Sequence, residues 1–131
     1  MIYNFVEYLK TELPTEKIFT NTKEINVPER IVLVQEFGGT IQPWVGYTQK
    51  MVQIITRDID AVRARELAYS VLNKIHDKFG LILPSVTVNT TLYASIQSAQ
   101  ITAEGEPQSL GYDENGNAEY STKYKIIYRR S

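Results

Sequence analysis

The longest amphipathic segment of the chain is DAVRARELAYSVLNKIHDKFG, residues 60–80. Asp60 suits the N-cap position, and Gly80 supplies a left-handed stop. Lys74 and Lys78 fall in the last turn, where a cation interacts favourably with the helix dipole. The pattern predicts one long helix that needs a sheet to pack on. Its apolar stripe has a period near 3.6 residues and comprises Ala64, Leu67, Ala68, Val71, Leu72, Ile75 and Phe79.

Strand patterns lie on both sides of this helix. Residues 31–34 and 51–56 precede it as short β-branched runs, and residues 92–102 follow it as a longer run. The final segment, residues 118–128, alternates between a covered and a wet face. The covered face is predicted to carry Tyr120, Thr122, Tyr124, Ile126 and Tyr128.

The N-terminal segment predicts a second helix. Apolar residues repeat at spacings of three and four over residues 2–13, and Pro14 ends the pattern. Ile18 and Phe19 then suggest a small edge strand. The resulting fold class is α+β, a mostly antiparallel mixed sheet with two helices packed on one face, in the order α-β-β-β-α-β-β. At this length, residues 1–131 are expected to form a single domain.

Two loops are predicted between the strands. Gly38-Gly39 is expected to stop the first strand, so that residues 40–50 form a loop around Trp44. Trp44 either anchors an interface or caps one end of the core. A second loop, residues 104–117, joins two strands long enough to form a projecting hairpin. A connection of this length is usually functional, and we expect it to serve assembly more than folding.

The composition excludes several classes of protein. Fourteen basic and fifteen acidic residues give a net charge of −1, without the basic excess of a tight nucleic-acid binder. The absence of cysteine excludes disulfides and thiolate metal sites. No run approaches the ~18 apolar residues of a membrane span, and the start of the chain is unlike a signal peptide. We expect a soluble protein that has no cofactor and is not associated with a membrane.

Catalytic patterns are weak. His76 is the only histidine, on the border of the helical stripe, and packing explains it better than catalysis. Asp113, Asn115 and Asn117 resemble the start of a calcium loop, but the glycine and glutamate that such a loop needs are missing. A tight turn using Gly116 fits better. Asp58 and Asp60 are better explained by helix capping than as an acid–base pair. We therefore expect no enzymatic activity.

Three motifs occur in a defined order. A strand ends in Gly-Gly at residues 33–39, and a strand-Thr-Arg junction precedes an Ala-rich helix over residues 51–72. LGYDENG at residues 110–116 then precedes EYS at residues 119–121 and a closing strand. In these motifs, from about residue 27 to its C-terminus, the chain resembles the minor capsid or tail terminator proteins of long-tailed phages of Gram-positive hosts.

The resemblance implies a structural subunit of a bacteriophage virion that is assembled in the host cytoplasm. The subunit would belong to a ring of six copies at the head-proximal end of the tail. That ring would stop growth of the tail tube and join it to the head connector or stopper protein, with DNA passing through. The family has no catalytic residues to transfer to this chain.

The resemblance leaves alternatives open. They are a head-completion or neck protein of the same virion, a small-ligand or regulatory α+β binding domain, and an enzyme centred on His76. Ring formation is also suggested by the terminal strand, whose edge we expect to be uncovered and therefore available to a partner. The residues expected at a subunit or partner interface are Trp44, Tyr47, Glu104, Glu106, Leu110, Tyr112 and Asp113.

Overall fold

The computed structural model describes residues 1–20, 30–42 and 46–129, with the backbone alone for residues 39–42. Two helices and nine strands follow one another in the described parts of the chain. In order, they are α1 (Ile2–Glu12), β1 (Ile18–Thr20), β2 (Ile31–Gln42), β3 (Tyr47–Asp58), α2 (Ala61–Ile75), β4 (Lys78–Leu83), β5 (Val86–Val88), β6 (Thr91–Tyr93), β7 (Ile96–Ala103), β8 (Gln108–Tyr112) and β9 (Ala118–Arg129).

Seven of these strands form one sheet in the order β1-β2-β3-β9-β7-β4, with β8 as a further partner of β9. β1 and β2 are parallel, and the other described pairs of this sheet are antiparallel. β5 and β6 form a separate two-stranded ribbon. The predicted α+β class and the mostly antiparallel mixed sheet are confirmed.

One apolar core lies between the helices and one face of the sheet. Phe5 and Leu9 from α1 and Val71 from α2 are fully buried in the same cluster as Ile54 of β3 and Tyr124 of β9. Alternate residues of β9 enter this core because successive side chains of a strand point to opposite faces. The packing of both helices on one face is confirmed. Neither helix has the length and apolar character that crossing a membrane requires.

The predicted start of α2 is correct, but its predicted end is wrong. The Asp60 carboxylate caps the helix by accepting the N–H of Val62 at 2.9 Å. The helix ends at Ile75, and Asp77 then takes a left-handed φ of 58°. Phe79, predicted as the last buried residue of the stripe, lies on β4 and is 64% exposed. The antiparallel pairing of β4 with β7, in which Lys78 faces Ile101, requires an extended chain here.

The first predicted loop is much shorter than expected. β2 does not stop at Gly38-Gly39 but continues to Gln42, and β3 already begins at Tyr47. The register between the two strands shifts between Glu36 and Gly39, where Gly38 has a φ of +87°. A bulge of this kind absorbs an extra residue without ending the strand, so these glycines bend β2 instead of terminating it.

The C-terminal half of the chain also differs from expectation. Residues 92–102 are divided between β6 and β7, and the predicted loop at residues 104–117 contains β8. The expected uncovered edge of the terminal strand is wrong, since β9 lies inside the sheet between β3 on one side and β7 and β8 on the other. These strands and their neighbours are set by pairing between residues far apart in the chain, and the periodicity of a local segment does not reveal such pairing.

Candidate assembly surface

β8 and β9 form a hairpin closed by a tight turn at residues 113–117. The Asp113 carboxylate accepts the backbone N–H groups of Asn115 at 2.9 Å and Asn117 at 2.8 Å. Gly116 takes a φ of +81°, and its N–H donates to the carbonyl of Asp113 at 3.1 Å. The turn predicted from this sequence is confirmed, and Asp113 is its organising residue.

An ion pair attaches the turn to the body of the sheet. Nη1 of Arg57, near the end of β3, lies 3.5 Å from Oδ2 of Asp113. Burial alone would raise the pKa of the Asp113 carboxyl. Hydrogen bonds from Asn117 and Asn115, together with the Arg57 charge, outweigh burial and lower that pKa below its ordinary value. The turn is therefore held by a carboxylate that is stabilised in its ionised form.

The outer edge of β8 is open to solvent. Within residues 1–20, 30–42 and 46–129, β8 pairs only with β9, and all five of its residues are exposed. An edge strand carries unpaired backbone groups that can pair with another chain. Leu110 is 51% exposed and Tyr112 is 68% exposed, so this edge also presents apolar surface to solvent.

Two exposed apolar residues of the β3–α2 junction lie at the same end of the sheet. Asp58 is the register partner of Ala118, which is in turn the partner of Tyr112. Ile59 follows Asp58 directly, and it is 56% exposed, while Val62 in the first turn of α2 is 63% exposed. We call the surface formed by Ile59, Val62, Leu110, Tyr112 and Glu114 the hairpin end.

The hairpin carries charge of one sign. Residues 104–119 contain five acidic residues and no lysine or arginine. Glu104 lies 3.6 Å from Lys125, and Asp113 is paired with Arg57. Glu114 is exposed at the turn and forms no ion pair with the described residues. The tip of the hairpin therefore offers an uncompensated negative charge.

A cavity of about 590 Å³ lies at the opposite end of the sheet. It opens between the start of α1, the β6–β7 connection and the far ends of β3 and β9. Nδ2 of Asn4 lies within hydrogen-bond distance of the carbonyls of Pro84, Tyr93 and Ala94, at 3.0, 3.3 and 2.9 Å. These contacts hold the β6–β7 connection against α1. The lining includes the aromatic and aliphatic side chains of Tyr93, Ile96 and Tyr128 and the cation Arg129.

The residues predicted for the interface do not form one cluster. Leu110, Tyr112 and Asp113 belong to the hairpin, and Glu104 and Glu106 line a small depression of about 150 Å³ where β7 passes into β8. Tyr47 lies at the other end of the sheet, opposite Arg129. Trp44 lies outside the described residues.

Sequence reasoning missed part of both surfaces. Val62 falls outside the buried stripe of α2, and an apolar residue on the polar side of a helix was the available signal, whereas Ile59 precedes the N-cap Asp60. The cavity gave no local signal, since its lining comes from four separate segments of the chain.

His76 has a structural role. Its Nδ1 accepts the backbone N–H of Ala103 at 3.0 Å and so fixes the end of α2 against β7. In the part of the chain that the structure describes, no group of three or more histidine and acidic side chains is arranged to hold a metal ion. The His76 side chain is 40% exposed, so its contact with the sheet is a hydrogen bond at the end of the helix and not burial in the core.

A comparison with protein-family models gives a match. A family model described as Bacteriophage tail terminator protein matches residues 21–130, which is most of the chain. The matched segment contains the whole sheet except β1 and includes both α2 and the hairpin. No curated protein matches the chain.

Proposed function

Because the chain belongs to the bacteriophage tail terminator protein family, we propose that its copies form a closed ring, of six subunits, that caps the tail tube. The family match, which identifies a structural protein of the phage tail, is the observation that carries this proposal. In the proposed assembly, one face of the ring contacts the tail tube protein, and the other receives the head connector. The chain acts as a single domain at the head-proximal end of the tail, and host cytoplasm is the place of assembly.

The open edge of β8 supports a contact between subunits. Its backbone groups and the side chains of Leu110 and Tyr112 are exposed in the isolated chain, and pairing or burial in an assembly would satisfy both. Two copies of this hairpin meeting face to face would place acidic residues against acidic residues. Such a two-fold contact is electrostatically unfavourable, which favours a head-to-tail contact, and a head-to-tail contact that closes gives a ring.

The proposal is tested by removing the apolar groups of the hairpin. In the double variant Leu110→Ser and Tyr112→Ser, we expect a folded monomer that no longer caps isolated tail tubes. Exposed substitutions usually change stability by less than about 0.5 kcal/mol, so folding and assembly are separable. The matched control is Phe79→Ser with Ile82→Ser, which changes two exposed apolar residues of β4. Capping should survive in the control, and normal capping by the hairpin variant would contradict the proposed contact.

A further inference from the structure

We propose that the hairpin end of one copy inserts into the cavity at the opposite end of the next copy. This inference rests on the proposed ring and names the two surfaces that meet in it. The occupant of the cavity is a second copy of this chain, contributing Leu110, Tyr112 and Glu114. The receiving groups are Tyr93, Ile96, Tyr128 and Arg129.

The two surfaces lie at opposite ends of the same pair of strands. β3 and β9 pair over their full length, from Asp58 opposite Ala118 at the hairpin end to Tyr47 opposite Arg129 beside the cavity. The eleven steps along these twelve residues, at ~3.3 Å each, place the two ends roughly 36 Å apart. A head-to-tail contact requires two different surfaces on each subunit that do not block one another, and this arrangement supplies them.

The chemistry of the two surfaces is complementary. The cavity presents Tyr93, Ile96 and Tyr128 to an incoming side chain, and the hairpin end presents the exposed groups of Leu110 and Tyr112. A volume of about 590 Å³ falls in the range of ~300–1,000 Å³ typical of pockets that enclose a small ligand. The cavity therefore has room for one or two large side chains of a neighbour.

The charges identify the orientation of the contact. Arg129 is exposed at the cavity and forms no ion pair with the described residues. Glu114 is exposed and similarly unpaired at the tip of the hairpin. Inserting the tip into the cavity brings these opposite charges together, whereas contact between two hairpins brings together charges of the same sign. Electrostatic complementarity of this kind selects the partner surface.

Disulfide trapping tests the contact directly, because the natural chain has no cysteine. Asn115→Cys places a thiol at the hairpin turn, and Gln97→Cys places one at the cavity; both positions are exposed. Mild oxidation of the assembled double variant should yield a covalent ladder of dimers, trimers and larger species. Each single cysteine alone should yield no ladder, and neither should Asn115→Cys combined with Phe79→Cys.

A charge exchange provides an independent test that needs no cross-link. Glu114→Arg and Arg129→Glu should each weaken ring assembly by at least about tenfold. The double variant carries both changes in one chain and should recover most of the loss, because each subunit contributes one residue and receives the other.

The outcomes separate this inference from the proposed function. If the wild-type protein caps tail tubes as a ring but the cysteine pair gives no ladder and the charge exchange gives no recovery, the hairpin does not occupy the cavity. The proposed function then stands with a different interface. If the wild-type protein forms no ring on tail tubes, both proposals fail.

Discussion

The guanidinium of Arg57 lies 3.5 Å from the carboxylate of Asp113, although 56 positions separate the two residues in the chain. Arg57 is also the register partner of Glu119, so it reaches across β9 to the turn of the hairpin. The pairing of β9 with β3 already joins the hairpin to the sheet, and this ion pair adds a side-chain contact at the turn, at the end where Leu110 and Tyr112 are exposed. A hairpin held in this way can present its tip to a partner without first becoming ordered, which lowers the cost of association.

Asp113 and Glu114 are adjacent, yet we expect their substitutions to act on different properties. Asp113→Ala removes two hydrogen bonds to the turn backbone and the ion pair with Arg57. The free energy of unfolding should fall by about 1–2 kcal/mol. Glu114→Ala removes an exposed charge and should leave that free energy unchanged while weakening assembly. Urea unfolding of the two variants, measured beside ring formation, checks this division, and equal loss of stability in both would contradict it.

Acid should destabilise the fold partly through Asp58. Burial would raise the pKa of this carboxyl, but the Asp60 N–H, Arg30 and Arg63 outweigh burial and lower the pKa below its ordinary value of 3.8. A carboxyl with a lowered folded-state pKa contributes stability above its ordinary pKa and loses that contribution as the pH falls through the folded value. We therefore expect the free energy of unfolding to decrease below about pH 4.

Asp58→Asn tests the assignment of this acid sensitivity. The variant loses its ion pair with Arg30, whose Nη1 lies 2.9 Å from Oδ2 of Asp58, so it should be less stable at neutral pH by about 2 kcal/mol. Its loss of stability on acidification should be shallower than that of the wild type. Urea unfolding at several pH values between neutrality and acid measures both effects. An unchanged slope would show that other carboxyls are responsible.

The corrected end of α2 predicts opposite results for two residues of the apolar stripe. Ile75 is fully buried, and Ile75→Ala should lower the free energy of unfolding by about 2–5 kcal/mol through lost burial and the cavity that remains. Phe79 is exposed on β4, and Phe79→Ala should change the free energy of unfolding by less than about 0.5 kcal/mol. Thermal unfolding of the two variants measures both losses of stability. A large loss in Phe79→Ala would contradict the helix end at Ile75 and support the longer predicted helix.

The local patterns of the sequence were sufficient to locate both helices and the core-facing positions Tyr124 and Ile126 of β9. The stripe through Leu67 and Val71 and the alternation through Tyr124 and Ile126 depend on residues near one another in the chain. Phe79 misled the prediction because β4 also contains apolar residues, so the stripe continued past the end of the helix. Gly38 misled it because glycine serves both strand ends and bulges.

The remaining errors concern contacts between distant parts of the chain. β8 has no alternating pattern, and only its pairing with β9 makes it a strand. For the same reason the covered edge of β9 was missed. In the candidate site, Leu110 and Tyr112 were expected at an interface and lie in the loop that was predicted to serve assembly, whereas the separation of Tyr47 from them follows from the register of β3 with β9. The cavity depends on four segments that only the fold brings together.

Binding to duplex DNA should be weak. The net charge is −1, and the hairpin proposed for assembly is acidic. Contacts of lysine and arginine with phosphates supply most non-specific affinity, with dissociation constants of ~1–100 μM at physiological salt. A fluorescence titration with a short duplex at low salt should show nothing tighter than the micromolar range. Submicromolar binding would mean that the charge distribution of the assembly differs from that inferred here.

The central claim is that copies of this chain form a ring that caps the tail tube. Electron microscopy of isolated tail tubes mixed with the protein, together with native mass spectrometry of the protein released from them, measures this most directly. We predict a ring of identical subunits, six in number, at one end of each tube. A protein that remains monomeric and leaves both ends of the tubes bare would contradict the claim.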